Sequence, residues 1–313
     1  MTPDPLLPLA RLDDIPTPPA WFATALDTPY EALDVAMTDG RRIEARAWGP
    51  AGAPGLVLLH GNAAHLGWWT FLAPFFADRF RVTAFSLGGM GGSEWHDDYS
   101  VARFADEMWT VADAAGATAH TLPPVLVAHS MGGLPVIHAG AKVDRPIRAA
   151  VLIDVGLPGI DTGIAIPEYK GHRLYPSVEA ALGRFRLAPP QPCANRWIAE
   201  YLGRMAVQPA HDAAGNAGWS WRFDPRLWGG VPADDVWLEL AAMRCPVALI
   251  RGANSRLTAG EMIARMIAAL PAGSPLIEIA DADHHVMIDQ PLALVAALDA
   301  LFAGWVPGLG AKS

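Results

Sequence analysis

The stretch from Val125 to Gly133 reads VLVAHSMGG, an apolar run that stops at a serine set between a histidine and two glycines. A short continuous apolar run suits a strand buried on both faces, as in a parallel sheet. In an open parallel sheet, reactive groups collect in the loops beyond the carboxyl ends of the strands. Ser130 stands at such an end, just before a segment with helical spacing that begins at Leu134. A sharp strand-to-helix turn strains the backbone at its centre and needs small residues two positions to either side, the pattern G-x-S-x-G. Here it is Ala128-His129-Ser130-Met131-Gly132, with alanine in place of the first glycine. The turn would hold the Ser130 hydroxyl exposed and aim N–H groups of the following helix at the same point.

On either side of this stretch the pattern repeats. GLVLLHG (55–61), RVTAF (81–85), AAVLIDV (149–155) and PVALIRG (246–252) are further apolar runs, with helical spacing at 68–76, 101–115, 134–141, 262–270 and 292–302. Strand alternating with helix predicts right-handed crossovers on an α/β sheet with helices on both faces. ALDVAM (32–37) and RIEARAW (42–48), around Thr38-Asp39-Gly40, predict a hairpin at the sheet edge. The interval from 157 to 243 breaks the rhythm: it has many prolines, clustered tryptophans and no good strand, which predicts a helical cap. The expected organisation is a first core part over 1–156, with a proline-rich arm over 1–30, then a cap over 157–243 and a second core part over 244–313.

Composition limits the partners. The chain has 313 residues, 52% hydrophobic, with 32 acidic against 23 basic residues and a net charge of -9. The absence of a Lys/Arg block excludes the electrostatic footprint of a nucleic-acid binder, and no apolar run is long enough to span a membrane. A small-molecule partner is expected. Cys193 and Cys245 are too few for a disulfide framework or a zinc site, and the arm lacks the basic start and apolar stretch of a secretory signal, so the expected location is cytoplasmic. No cofactor and no metal are expected. Oligomeric state is not legible.

Two further stretches keep company with Ser130. HGN at 60–62 follows a strand, where a loop supplying an oxyanion N–H belongs, and DADHHVMIDQP (281–291) places histidines on a loop after the strand PLIEIA (275–280). With FSLGGMGGS (85–93), AHSMGG (128–133) and RGANS (251–255), these features in order resemble the α/β-hydrolase superfamily from residue 30 onward. The resemblance implies an eight-stranded, mostly parallel sheet with an antiparallel second strand and a cap inserted after the sixth strand. It also implies roles. Ser130 is the nucleophile, activated by a base that takes its proton. His284 is that base, because the family's histidine stands about seven residues before the proline that here is Pro291. Imidazole suits the task, with an ordinary pKa of about 6.5. His285 is read as a neighbour, and His60 and His129 as bracing residues.

The acid departs from the family pattern. Its usual place, three residues beyond the glycine of the RG turn, is Ser255, which carries no charge to steady an imidazolium. Asp154, at the end of the sixth strand, is assigned instead, an alternative site in some members. Asp281 and Asp283 lie too close in sequence to His284, and Glu261 sits in a helix. The N–H groups of Asn62 and Met131 are assigned to the oxyanion hole. Ser86 and Met90 stand where aspartate and histidine are common.

Twelve tryptophans are many for this length. Trp68, Trp219 and Trp221 are taken as walls of an apolar or aromatic pocket, and Arg222 with Asp224 as a latch at the end of the cap. The leading function is a cofactor-independent serine hydrolase of an ester, lactone or related carbonyl compound. A C–C bond hydrolase or a cofactor-free oxygenase on the same fold stays open, as does a non-catalytic small-molecule binding protein.

Overall fold

Strands that are apolar on every residue need cover on both faces, and this sheet has it. The structure, a computed structural model, describes residues 5–164, 171–233 and 235–306. Residues 1–4 of the expected arm, 165–170 and 234 of the expected cap and 307–313 of the second core part lie outside the described residues. In chain order the elements are α1 (Ala20–Leu26), β1 (Glu31–Ala36), β2 (Arg42–Trp48), β3 (Gly55–Leu59), α2 (Gly67–Thr70), β4 (Arg81–Phe85), α3 (Val101–Ala114), β5 (Val125–His129), α4 (Gly133–Lys142) and β6 (Ala149–Ile153). They continue with α5 (Val178–Leu182), α6 (Arg196–Met205), β7 (Val207–His211), β8 (Ala217–Trp221), α7 (Val236–Ala241), β9 (Val247–Gly252), α8 (Gly260–Ala269), β10 (Leu276–Ile279), α9 (Val286–Asp289) and α10 (Pro291–Trp305).

Eight strands form one sheet in the order β1-β2-β4-β3-β5-β6-β9-β10. β2 runs antiparallel to both neighbours, and every pairing from β4 to β10 is parallel. The two-residue period of a strand sorts the apolar side chains by face. Leu56, Leu58, Val125, Val127, Val151 and Ile153 pack with α10, α1 and α6, while Val57, Leu59, Leu126, Ala128, Ala150 and Leu152 pack with α3, α4, α7 and α8. The turn at Thr38-Asp39-Gly40 closes the edge hairpin, with Gly40 at φ +84°. The segment read as one helix over 68–76 is instead α2 followed by a 3-10 turn at Ala73–Phe76, since Pro74 cannot supply the N–H that would continue α2.

The interval between β6 and β9 differs from the expectation of a purely helical cap. Besides α5 and α6 it holds the antiparallel pair β7-β8, formed by the short, half-exposed segments VQPAH and AGWSW, in which Gln, Pro, Gly and Ser interrupt any continuous apolar run. α7, which falls inside 157–243, packs on the sheet face, with Val236 and Leu240 buried among the core residues. The N-terminal arm is held by α6, where the Arg196 guanidinium donates to the carbonyls of Pro8, Arg11 and Asp14. Trp21 and Phe22 of α1 lie edge-on to Trp197, at centroid distances of 5.7 and 4.6 Å. No described helix is long and apolar enough to cross a membrane.

Under α10 the Phe302 ring, fully buried, meets Phe76 at 5.4 Å and Phe80 at 5.3 Å. Phe302→Ala is expected to lower unfolding free energy by about 3–5 kcal/mol, from lost burial and the cavity left behind. A urea titration measures it; a loss below about 1 kcal/mol would show that this layer can close over the gap.

Candidate active site

Ser130 follows β5 directly and heads a single 3-10 turn, Ser130–Gly132, that leads into α4. Its φ is +53°. A non-glycine residue held there costs on the order of 1–3 kcal/mol and persists only where its surroundings impose the conformation. Two glycines show how tight those surroundings are. A Cβ on Gly132 would lie 2.3 Å from the His60 carbonyl oxygen, and one on Gly61 would lie 3.0 Å from Ser130 Cβ and 3.5 Å from Ser130 Oγ. The 60–62 loop and the serine turn therefore meet backbone to backbone, bringing the segments of Asn62 and Met131 to one point.

Side chains brace that loop. Burial pushes the His60 imidazole down to about 3, leaving it neutral. Its Nδ1–H donates to the Gly61 carbonyl (2.7 Å), and its Nε2 accepts from the Leu87 N–H (3.0 Å). Asn62 accepts from the Ala63 N–H through Oδ1 (3.0 Å) and donates through Nδ2 to the carbonyls of Leu227 (2.7 Å) and Trp228 (3.1 Å). Ser86, standing where aspartate is common, donates to Glu44 and accepts from the Leu66 N–H (3.0 Å).

His284 and Asp154 complete a hydrogen-bonded chain from the serine. Ser130 Oγ–H donates to His284 Nε2 at 3.1 Å, and His284 Nδ1–H donates to Asp154 Oδ1 at 2.9 Å. Asp154 follows β6, has φ +47° and is wholly buried at its side chain. A buried carboxylate must have its lone pairs occupied. Here Oδ1 also accepts from the Ser255 hydroxyl (2.6 Å), while Oδ2 accepts from the Gly252 N–H (2.9 Å) and the Thr258 hydroxyl (3.0 Å). Ser255, at the family's usual acid position, is thus a donor to the acid. The sequence does not reveal that role; its only signal is the pair of small hydroxyl residues, Ser255 and Thr258, three positions apart after β9.

The histidine loop is held from the segment between β6 and β9. Gln191 accepts from the His285 N–H (2.9 Å) and donates to Asp289 (2.8 Å), and Asn195 donates to the carbonyls of Ile288 (2.8 Å) and Asp289 (3.1 Å). Asp289 accepts from the Asp283 N–H (2.8 Å), tying the loop across its base, and burial pushes its carboxyl up to about 6. His129 Nε2–H donates to the His284 carbonyl (3.0 Å). Burial holds His129 and His285 well below the usual imidazole range, so both are neutral. His129, His284 and His285 each offer a ring nitrogen within 4.8 Å of the others, which could hold a transition-metal ion. Both ring nitrogens of His284 are engaged by Ser130 and Asp154, so such an ion would compete with that chain rather than assist it.

A cavity of about 540 Å³ opens onto Ser130. Trp68 and Trp221 line it, together with Trp228, Phe185 and Phe223, whereas Trp219 does not. Trp219 lies two residues earlier on β8 than Trp221, about 7 Å away at strand rise, with its backbone paired to Tyr175. The wall is less apolar than expected, since Arg173, Arg184, Arg186 and Arg222 also line it. The expected Arg222–Asp224 latch is replaced by Arg226, whose guanidinium grips Asp224 from two residues away (2.5 Å), with Tyr99 donating to the same carboxylate (2.8 Å).

Comparison with known proteins identifies the family. The family model described as the alpha/beta hydrolase family matches residues 56–298. The chain is 26% identical over 289 residues to a 3-hydroxybutyrate-oligomer hydrolase of Cupriavidus necator, covering 84% of this chain and 93% of that protein. It is 28% identical over 118 residues to a pimeloyl-[acyl-carrier protein] methyl ester esterase of Methylococcus capsulatus, a match to 34% of this chain that spans less than half, 42%, of that relative's length. Among solved structures, E-2-(acetamidomethylene)succinate hydrolase superposes with a TM-score of 0.71 at 20% identity, covering 87% of this chain and 98% of the other.

Asp289 makes the loop's stability depend on pH. Its carboxyl titrates near 6 when folded and near the ordinary value of about 4 when unfolded, so the folded state binds more protons in between and stability falls as pH rises from about 4 to about 6. Asp289→Asn keeps an acceptor for the two donors and removes this fall. Melting temperatures from pH 4 to 7 should therefore diverge in favour of the variant as pH rises through about 6; parallel curves would place the carboxyl at an ordinary value.

Proposed function

The chain belongs to the α/β hydrolase family, and from that premise we propose that it is a cofactor-independent serine hydrolase that cleaves an ester or related acyl bond through an acyl-enzyme. The observation that carries this reading is the continuous chain Ser130 Oγ to His284 to Asp154, at 3.1 and 2.9 Å, opening onto a cavity. The names of the two relatives, one an oligomer hydrolase and one a methyl ester esterase, support the same bond type.

The steps follow from the chemistry of these groups. Ser130 Oγ attacks the carbonyl carbon as His284 Nε2 takes its proton, and the resulting imidazolium donates from Nδ1 to Asp154. Negative charge builds on the former carbonyl oxygen, where the N–H groups of Asn62 and Met131 stabilise it without reorganisation. His284 returns the proton to the leaving oxygen, an acyl group remains on Ser130, and water activated by the same imidazole releases it. Asp154 steadies the charged imidazole in the correct tautomer, while Ser255, Thr258 and the Gly252 N–H donate to its carboxylate and keep it aimed. The part of 157–243 that precedes α7 acts as a cap that covers the acyl group while leaving room for the hydrolytic water, and supplies Trp221 to the cavity wall. The substrate is a small molecule, and no cofactor or metal takes part.

Ser130→Ala should lower kcat/KM for a p-nitrophenyl ester by about 10³-fold or more and abolish labelling by a fluorophosphonate. Asp154→Asn should lower kcat by about 10³ to 10⁴-fold, since an amide leaves the imidazole in the wrong tautomer and its cation unsupported. A folded Ser130→Ala variant with activity within tenfold of the parent would remove the serine from the mechanism.

A further inference from the structure

The cavity in front of Ser130 is lined by Arg173, Arg184, Arg186 and Arg222, and by no aspartate or glutamate among the described residues. That contrasts with a chain whose net charge is -9. Elsewhere arginines are neutralised: Arg79 by Asp299 (2.5 Å), Arg145 by Asp113 (2.6 Å) and Arg251 by Glu278. None of the four cavity arginines pairs with a carboxylate among the described residues.

Their placement differs. Arg222 is half-buried, and its backbone is fixed at both ends, donating to the Ala206 carbonyl and accepting from the Gly91 N–H (2.8 Å each). Its Nε is buried with no hydrogen-bond partner among the described residues, a donor left to be satisfied. Arg184 and Arg186 are exposed on either side of buried Phe185, and Arg173 is exposed as well. A guanidinium presents a planar fork that matches a carboxylate or phosphate, and a like-charged concave wall concentrates the opposite charge. The same cavity offers the rings of Trp68, Trp221 and Trp228 to a hydrocarbon segment.

We propose that the site selects acyl substrates carrying a second, anionic group, a carboxylate or phosphate, held by these arginines while an apolar segment spans to the scissile carbonyl. This rests on the serine-hydrolase reading and refines it: the substrate is anionic where the sequence led to an apolar one. The two sources of negative charge are separable. A carboxylate at the far end of the acyl chain is carried by the p-nitrophenyl monoester of adipic acid, with p-nitrophenyl heptanoate as its neutral counterpart. Phosphate on the leaving group is carried by hexanoyl-coenzyme A, with the N-acetylcysteamine thioester as its phosphate-free counterpart.

The expected result is a kcat/KM ratio of at least about tenfold in favour of the anionic member of one pair, expressed in KM. That ratio should fall between about 0.01 and 1 M salt, as the Debye length contracts from about 30 to about 3 Å. Arg222→Gln and the pair Arg184→Gln with Arg186→Gln should each reduce the ratio, while Arg145→Gln, which removes the same charge at a distant surface, should not. Binding of adipate against hexanoate to Ser130→Ala, read by calorimetry, tests the arginines without turnover. Turnover with a ratio near one in both pairs overturns the anion selectivity alone. Anion binding that the arginine variants abolish, in a protein that hydrolyses neither pair, overturns the hydrolase reading alone, and neither binding nor turnover overturns both.

Discussion

Taking the carboxylate of Asp154 out of water at the end of β6 imposes a demand that the rest of the site answers. An isolated buried charge is expensive, and it is tolerated only when every lone pair has a donor. The donors come from two stretches far from Asp154 in sequence: the end of β9 and the loop beyond it, with the Gly252 N–H and the Ser255 and Thr258 hydroxyls, and the His284 ring. They converge because β6 and β9 are parallel neighbours in register, Ile153 opposite Ile250. The Asp154 N–H, which donates to the Ile250 carbonyl (2.7 Å), continues that ladder into the site. Sheet topology and acid placement are in this sense one constraint.

A second constraint acts at Ser130. The strained φ of Ser130 is held by contacts that leave no room for a side chain at Gly132 and only a tight fit for one at Gly61, so the 60–62 loop and the elbow define each other's position. The loop is fixed on its other side by Asn62, whose amide reaches the carbonyls of Leu227 and Trp228. The histidine loop is fixed in a comparable way by Gln191 and Asn195. The segment between β6 and β9 thus supports the reacting groups from outside as well as forming the cavity wall. Rigid support of this kind keeps reacting atoms in place at little entropic cost when substrate binds.

Much of the fold was legible because buried parallel strands are apolar on every residue, which leaves a mark that a few neighbouring positions carry in full. The same holds for Ser130, where the small residues at 128 and 132 record how closely strand and helix approach. His284 was reached through the family resemblance, which sets a histidine about seven residues before the proline that here is Pro291, and the structure supplies a role for the Asp289-Gln290-Pro291 ending: Asp289 closes the loop on the Asp283 N–H. The hairpin β7-β8 was not legible, since its strands are half-exposed and have no continuous apolar run, and neither was the exclusion of Trp219 from the cavity.

Strand order along the chain, the elbow and the candidate groups for nucleophile and base therefore belong to the sequence, since each depends on residues within a few positions of one another. Which carboxylate faces His284, why a serine at 255 is compatible with it, and which charges share the cavity depend on neighbours about 100 residues apart, as between Asp154 and Ser255. Local periodicity records burial but not the identity of the partner across a sheet. Only the packing of β6 beside β9, with the intervening segment turned back over the strand ends, brings those groups within hydrogen-bonding distance.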